Sequence, residues 1–250
     1  MIIKNNTEIW KIDFKNLITL LIYNGNNESY YILYKMNNLI LVRHGQSLWN
    51  KERRFTGWAD IDLTENGKLE AKQAGELIKK LNIQFDAYFT SNLKRANDTL
   101  YIILKGIKQE SIPIEKNLAL NERDYGDLVG QNKAEAAKEF GDEQVQIWRR
   151  SYDIPPPGGE SLKDTANRVI PYLNEKILPQ VYDGKNVIVS AHGNSIRAIV
   201  MALKKFNPEE ILKTEIGWCE PWIFEFENNT LINLKIKTRP NSKSMSKLPN

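Results

Sequence analysis

The sequence predicts a three-layer α/β fold, doubly wound, with a mostly parallel sheet and helices on both of its faces. Apolar runs at residues 39–42 and 187–189 lack polar alternation, as strands buried on both faces do, and each leads through His-Gly into a helical pattern. Between them, short apolar runs alternate with amphipathic stretches, as βαβ units require. A chain of 250 residues, 41% hydrophobic and 26% charged, suits one large domain whose core needs neither disulfide nor metal, and no linker divides it.

Composition narrows the function classes. Cys219 is the single cysteine, so no internal disulfide can form, and the histidines have no carboxylate or thiol neighbours at metal spacing. The expected site therefore holds no metal. A formal net charge of +4 is mild, and no aromatic-interleaved basic platform for nucleic acid is present. The apolar run at residues 17–23 is too short to span a membrane, and no cleavage site follows it.

The elements follow in order. Residues 1–36, rich in Asn, Lys, Ile and Tyr, read as an N-terminal extension, spurious or disordered, with Met36 the natural start. Residues 37–237 form the single catalytic domain and 238–250 a polar tail, disordered from Arg239 onward. Thr64 is an N-cap for a helix over 65–81, with Leu69, Ala74, Leu77, Ile78 and Leu81 facing the core. A strand over 85–90 precedes a helix over 93–104 that carries Arg95 in its first turn, where the helix dipole opposes a cation and asks for an anionic partner. Ser91 and Thr99 read as capping and packing groups.

Residues 112–114 are an edge strand, and 118–128 a loop around Glu122 on the ligand side of the sheet. Helical patterns over 133–140 and 145–150 stop at the Pro-Pro-Pro-Gly-Gly of 155–159, because proline lacks a donor and glycine relaxes the chain. A helix over 160–177, the strand ending at Ala191, helices over 195–204 and 208–213, and strands over 222–227 and 231–236 complete the chain.

The chain holds two histidines, His44 and His192, and both sit at the carboxyl ends of buried strands, where open α/β sheets bind ligands beside helix N-termini. Around them stand R-H-G-Q-S-L-W-N from Arg43, F-T-G-W-A-D-I-D-L-T from Phe55, T-S-N-L-K-R-A from Thr90, N-E-R-D-Y-G-D-L from Asn121, W-R-R-S-Y-D-I-P-P-P from Trp148 and A-H-G-N-S-I-R from Ala191. This set resembles the histidine phosphatase superfamily and, within it, the cofactor-dependent phosphoglycerate mutases; the fold it implies is the mutase-like form of the one predicted above.

The resemblance implies chemistry residue by residue. His44 would be the nucleophile, since a neutral imidazole has a free nitrogen at physiological pH. Arg43, Arg95 and His192 would neutralise a transferring phosphoryl group, with Gly193 and Asn194 as further donors. Glu122 would be the general acid and base, which calls for a raised pKa. Ser47, Asn50, Thr56, Gly57, Tyr125, Lys133, Arg149 and Arg150 would line the substrate site.

The implied reaction interconverts 3-phosphoglycerate and 2-phosphoglycerate in glycolysis and gluconeogenesis. Its implied cofactor is 2,3-bisphosphoglycerate with no metal, its location cytoplasmic, and its assembly a homodimer, with no nucleic-acid or membrane partner. Asp124, Val129 and the stretch Gly217-Trp218-Cys219-Glu220 depart from the common family pattern, and the segment after Pro157 is short.

Two other functions fit part of this pattern. A phosphatase of the same superfamily would share Arg43, His44, Arg95, Glu122 and His192; Lys133 and the Arg149-Arg150 pair favour the mutase, because they would hold a carboxylate and exclude water. A non-catalytic sensor of phosphorylated metabolites would have no need of the retained His44, Glu122 and His192.

Overall fold

The computed structural model describes the backbone of residues 9–14, 17–23, 29–240 and 244–249, with side chains from Met36 onward within those ranges. The strands are β1 (Ile9–Phe14), β2 (Leu17–Tyr23), β3 (Ser29–Arg43), β4 (Ala87–Thr90), β5 (Ile114–Lys116), β6 (Val187–Ala191), β7 (Trp222–Glu227) and β8 (Thr230–Ile236). The helices are α1 (Leu48–Lys51), α2 (Glu65–Lys79), α3 (Lys94–Ile107), α4 (Lys133–Phe140), α5 (Asp142–Arg150), α6 (Leu162–Tyr172), α7 (Leu178–Tyr182), α8 (Gly193–Lys204) and α9 (Pro208–Lys213).

The predicted three-layer fold forms around a sheet ordered β8-β7-β3-β6-β4-β5, in which β3, β6, β4 and β5 run parallel, β7 pairs antiparallel with β3, and β8 pairs antiparallel with β7. Successive side chains of a strand point to opposite faces, so the unbroken apolar runs fill two cores. Ile40, Val42, Tyr88 and Ile188 pack under Ala71, Ala74 and Ile78 of α2 and Leu100, Ile103 and Leu104 of α3. Leu39, Leu41, Val187 and Val189 face the other way, against Ala166 and Val169 of α6 and Ile196, Ile199 and Val200 of α8.

Parallel register fixes the site. Arg43 pairs with Ala191, and the His44 N–H donates to the Ala191 carbonyl at 3.0 Å, so His44 and His192 leave the sheet side by side.

Several elements differ from expectation, each for a local reason. Leu69 is 52% exposed: the buried stripe of α2 runs through Gly67, Glu70, Ala71, Ala74, Gly75 and Ile78, and at about 100° per residue Leu69 falls on the opposite side of the helix. The edge strand is displaced to Ile114–Lys116. The helix expected over 160–177 ends as α6 at Tyr172, and a wider turn at Leu173–Ile177 joins it to α7, with Pro171 and Pro179 removing backbone donors.

The strand expected from Leu39 starts at Ser29, and its first half pairs antiparallel with β2, which pairs with β1; residues 1–8, 15–16 and 24–28 of the extension lie outside the described residues. The tail turns back instead of running free. Lys247 pairs with Glu215 backbone to backbone, and the buried Glu220 carboxylate accepts from the Met245 and Ser246 N–H groups and the Ser244 hydroxyl.

Candidate active site

The loop after β3 is held by backbone contact. A Cβ at Gly45 would lie 2.3 Å from the Gly67 carbonyl oxygen, and one at Gly67 would lie 2.2 Å from the Gln46 carbonyl oxygen, so neither position admits a side chain. The Gly45 N–H donates to Thr99 Oγ1 at 3.1 Å, and the Gln46 N–H to the buried Glu70 carboxylate at 2.8 Å.

His44 sits at the mouth of this loop and is 2% exposed. Its Nδ1 lies 2.7 Å from the Gly45 carbonyl oxygen, which can only accept, so Nδ1 carries the proton and Nε2 keeps a lone pair. Burial pushes its pKa well below the ordinary value, with Arg95 and Arg43 adding to the effect against the Gly45 hydrogen bond. His192 is fully buried, its ring centroid 4.9 Å from that of His44. Its Nε2 is 2.8 Å from Ser91 Oγ, and its Nδ1 is buried with no partner among the described residues.

Two arginines flank the rings. Arg95, 1% exposed, donates to the Ala59 and Gly57 carbonyls at 2.8 Å each, which anchors a cation against its own helix dipole. Burial brings its pKa down to about 10, despite Glu122 and Asp60. Arg43 donates to the Ile216 carbonyl at 2.8 Å and lies over the Trp218 ring at 5.5 Å. The Nε of each arginine is a buried donor without a partner among the described residues.

Glu122 faces this group. Its Oε1 accepts from the Arg123 N–H at 2.8 Å and the Asn194 N–H at 3.0 Å. Burial opposes its ionisation, but Arg43, Arg95 and those two N–H groups outweigh burial and hold the carboxyl below its ordinary value. The raised pKa expected of a general acid does not follow from these surroundings, because Arg43 and Arg95 both act on the carboxylate, a convergence of cations with no signal in the sequence.

The remaining predicted residues fall into three groups. Ser47 and Asn50 cap α1 reciprocally, each side-chain oxygen accepting the other's N–H at 3.2 Å, and Thr56 Oγ1 is buried with no partner among the described residues. Gly57 takes φ +51°, and a Cβ there would press within 3.2 Å of Tyr125 N, Asp124 Oδ1 and Val129 Cγ2, which is where two of the family departures sit. Tyr125 packs against Phe55 with ring centroids 5.1 Å apart and planes tilted by 51°, and Lys133 lies 5.6 Å over the Phe55 ring. Lys133 and Arg149 line a cavity of about 380 Å³ beneath α4 and α5, together with Arg53 and Asp142. Arg150 pairs with Glu215 at 2.6 Å.

Supporting residues were missed by sequence reasoning. Arg168 grips the Glu160 carboxylate, with Nε and Nη2 each 2.8 Å from an oxygen, and donates from Nη2 to the Glu122 carbonyl at 2.9 Å. Trp58 Nε1 donates to the same carbonyl at 2.6 Å. Arg123 donates to the Trp148 and Arg149 carbonyls at 3.2 Å each, tying the end of α5 to the Glu122 loop. Thr99 and Ser91, read as packing and capping groups, contact Gly45 and His192 directly.

No group of three or more His, Cys, Asp or Glu side chains among the described residues could hold a metal ion, and no helix there is long and apolar enough to cross a membrane.

Residues 39–237 match the model of the histidine phosphatase superfamily, branch 1. The 2,3-bisphosphoglycerate-dependent phosphoglycerate mutase of Bradyrhizobium diazoefficiens is 54% identical over 198 residues, which cover 79% of this chain and 96% of that protein. The protein of the same name from Nitrobacter hamburgensis is 55% identical over 198 residues, with the same 79% and 96% coverage.

Among solved structures, Bacillus stearothermophilus YhfR superposes with a TM-score of 0.69 at 24% identity, covering 84% of this chain and 98% of that one. A mycobacterial glucosyl-3-phosphoglycerate phosphatase does so with a TM-score of 0.68 at 24% identity, covering 83% and 100%. At these identities the likeness concerns the fold. On the family match and the identity to these relatives, the chain belongs to branch 1 of the histidine phosphatase superfamily and, within it, to the 2,3-bisphosphoglycerate-dependent phosphoglycerate mutases.

Proposed function

We propose that the protein interconverts 3-phosphoglycerate and 2-phosphoglycerate, in glycolysis and gluconeogenesis, through a phosphohistidine formed on His44. The observation that carries this reading is an imidazole tied by Nδ1 to a backbone carbonyl, its Nε2 open, beside buried donors that lack partners among the described residues.

An unsatisfied buried polar group costs about 1–3 kcal/mol, and Arg43 Nε, Arg95 Nε, Thr56 Oγ1 and His192 Nδ1 are such groups, so the site fits a compact polyanion. Bound 2,3-bisphosphoglycerate supplies the phosphoryl group that primes the enzyme. Arg43 and Arg95 neutralise charge spread over the three equatorial oxygens, with His192, Asn194 and the Gly193 N–H as further donors.

His44 Nε2 attacks phosphorus as the bond from phosphorus to the substrate oxygen breaks, and that oxygen takes its proton from Glu122. In the reverse transfer, Glu122 removes the proton of the attacking hydroxyl. A dianionic group competes for Arg43 and Arg95, which weakens their hold on the Glu122 carboxylate and raises its proton affinity at the moment a proton is needed.

Ser47, Asn50, Thr56, Gly57, Tyr125, Lys133, Arg149 and Arg150 line the substrate side in this reading, with Lys133 and Arg149 facing the carboxylate. Arg150 would reach it by releasing Glu215. Residues 37–237 are the catalytic unit of a cytoplasmic enzyme that assembles as a homodimer, as the family implies.

The test is formation of 2-phosphoglycerate from 3-phosphoglycerate, with and without added 2,3-bisphosphoglycerate, in chelator. Isomerisation that needs the bisphosphate and survives chelation is the expected result. Release of inorganic phosphate without isomerisation would make the enzyme a phosphatase and overturn the role given to Lys133 and Arg149.

A further inference from the structure

His44 takes its tautomer from a backbone carbonyl, whereas His192 faces a hydroxyl, which can donate or accept. The surroundings of Ser91 remove that ambiguity. Ser91 is fully buried, and its Oγ already accepts the Leu93 N–H at 3.1 Å. It has one hydrogen to give, and among the described residues His192 Nε2, at 2.8 Å, is the one acceptor it contacts.

If Nε2 donated instead, Ser91 would carry two incoming hydrogens and leave its own unpaired in a buried pocket, at the cost of an unsatisfied polar group. With the hydroxyl donating, Nε2 is unprotonated, and a neutral ring then carries its proton on Nδ1. That nitrogen is the buried donor without a partner.

We propose that Ser91 is a positioning residue that fixes His192 as the Nδ1–H tautomer, so that the ring presents a neutral hydrogen-bond donor to the group transferred by His44. Arg95, Arg43 and the His44 ring all oppose protonation of His192, and burial opposes it more, so a donor is obtained here without adding a third cation. The tautomer assignment stands on the geometry alone; the identity of the group that receives the hydrogen bond rests on the phosphoryl-transfer reading above.

With two histidines in the chain, the imidazole nitrogens can be assigned by 15N NMR of histidine-labelled protein. The wild-type spectrum is expected to give His192 a protonated Nδ1 and a bare Nε2, while Ser91→Ala moves the ring to a mixture or to the Nε2–H form. kcat should fall about 10- to 100-fold in Ser91→Ala with KM little changed, and Ser91→Thr, which keeps the hydroxyl, should retain both the spectrum and the rate.

A wild-type Nε2–H signal overturns the proposal, and that measurement needs no variant. An unchanged His192 spectrum in folded Ser91→Ala also overturns it and reduces Ser91 to a cap for Leu93. A tautomer shift in Ser91→Ala, found in a protein that shows no isomerisation, upholds the positioning role and places the failure in the mutase reading.

Discussion

The ends of β3 and β6 carry the same two residues, histidine then glycine, level with each other across a parallel pair of strands, yet they are built for opposite uses. At β3 the ring leans on a carbonyl, which forces the proton onto Nδ1 and leaves a lone pair free. At β6 the ring meets a hydroxyl, and an unpartnered buried nitrogen is left. The chain path differs too: β3 runs into a loop braced by Thr99 and Glu70, while His192 is the N-cap of α8, so that α8 begins with the Gly193 N–H, which can meet an anion, and the Asn194 N–H, which holds Glu122. Residue type therefore does not assign the role of an imidazole; the atom at its second nitrogen does.

The sharpest way to break the comparison is to remove each ring in turn. His44→Ala should lose on the order of 10,000-fold or more in kcat and give no acid-labile phosphoenzyme after labelling, because the nucleophile itself is gone. Glu122→Gln, which removes the proton carrier, should cost about 100- to 10,000-fold in isomerisation. His192→Ala should cost about 100- to 1,000-fold while phosphoenzyme still forms, because one donor among several is lost. Equal losses in the two histidine variants, with no phosphoenzyme in either, would erase the distinction between lone pair and proton.

Two smaller effects sharpen it. Both rings stay neutral in the fold, whereas an unfolded histidine titrates near 6.5. Between the native values and 6.5 the unfolded chain binds more protons, so their contribution to stability is full above pH 6.5 and falls as the pH drops below it. Urea midpoints should decline through that range while the pH stays above 4.5, the ordinary value beneath which the Glu122 pKa is held, and His192→Gln should flatten the decline. The smallest effect concerns the β3 side alone: Thr99→Val strands the Gly45 N–H and should lower unfolding free energy by about 1–3 kcal/mol, read from the same denaturation curves.

The strands were legible because a strand buried on both faces must be apolar without interruption, and the histidines because they interrupt that run at its ligand end. Arg95 was legible as a misfit, a cation in a first helical turn. Glu122 drew attention only through the family resemblance, since a glutamate between asparagine and arginine carries no local signal. The bracing residues were not legible at all. Ser91 meets a partner 101 positions away, Trp58 one 64 away and Thr99 one 54 away, so a local reading sees only small polar groups near helix starts. The tail misled in the same manner, its polar composition concealing Ser246, which accepts from Trp222 Nε1 and donates its N–H to the Glu220 carboxylate.

The paired glycines at 45 and 67 carry a mechanical consequence. Where backbone meets backbone with no side chain between, there is no rotamer to cushion displacement, and two stiff peptide planes act as a hard stop. The loop that aims the His44 ring is thereby seated against the first turn of α2 like a part against a machined shoulder, and its position is set by steric contact between planar peptide groups that yield little to thermal agitation.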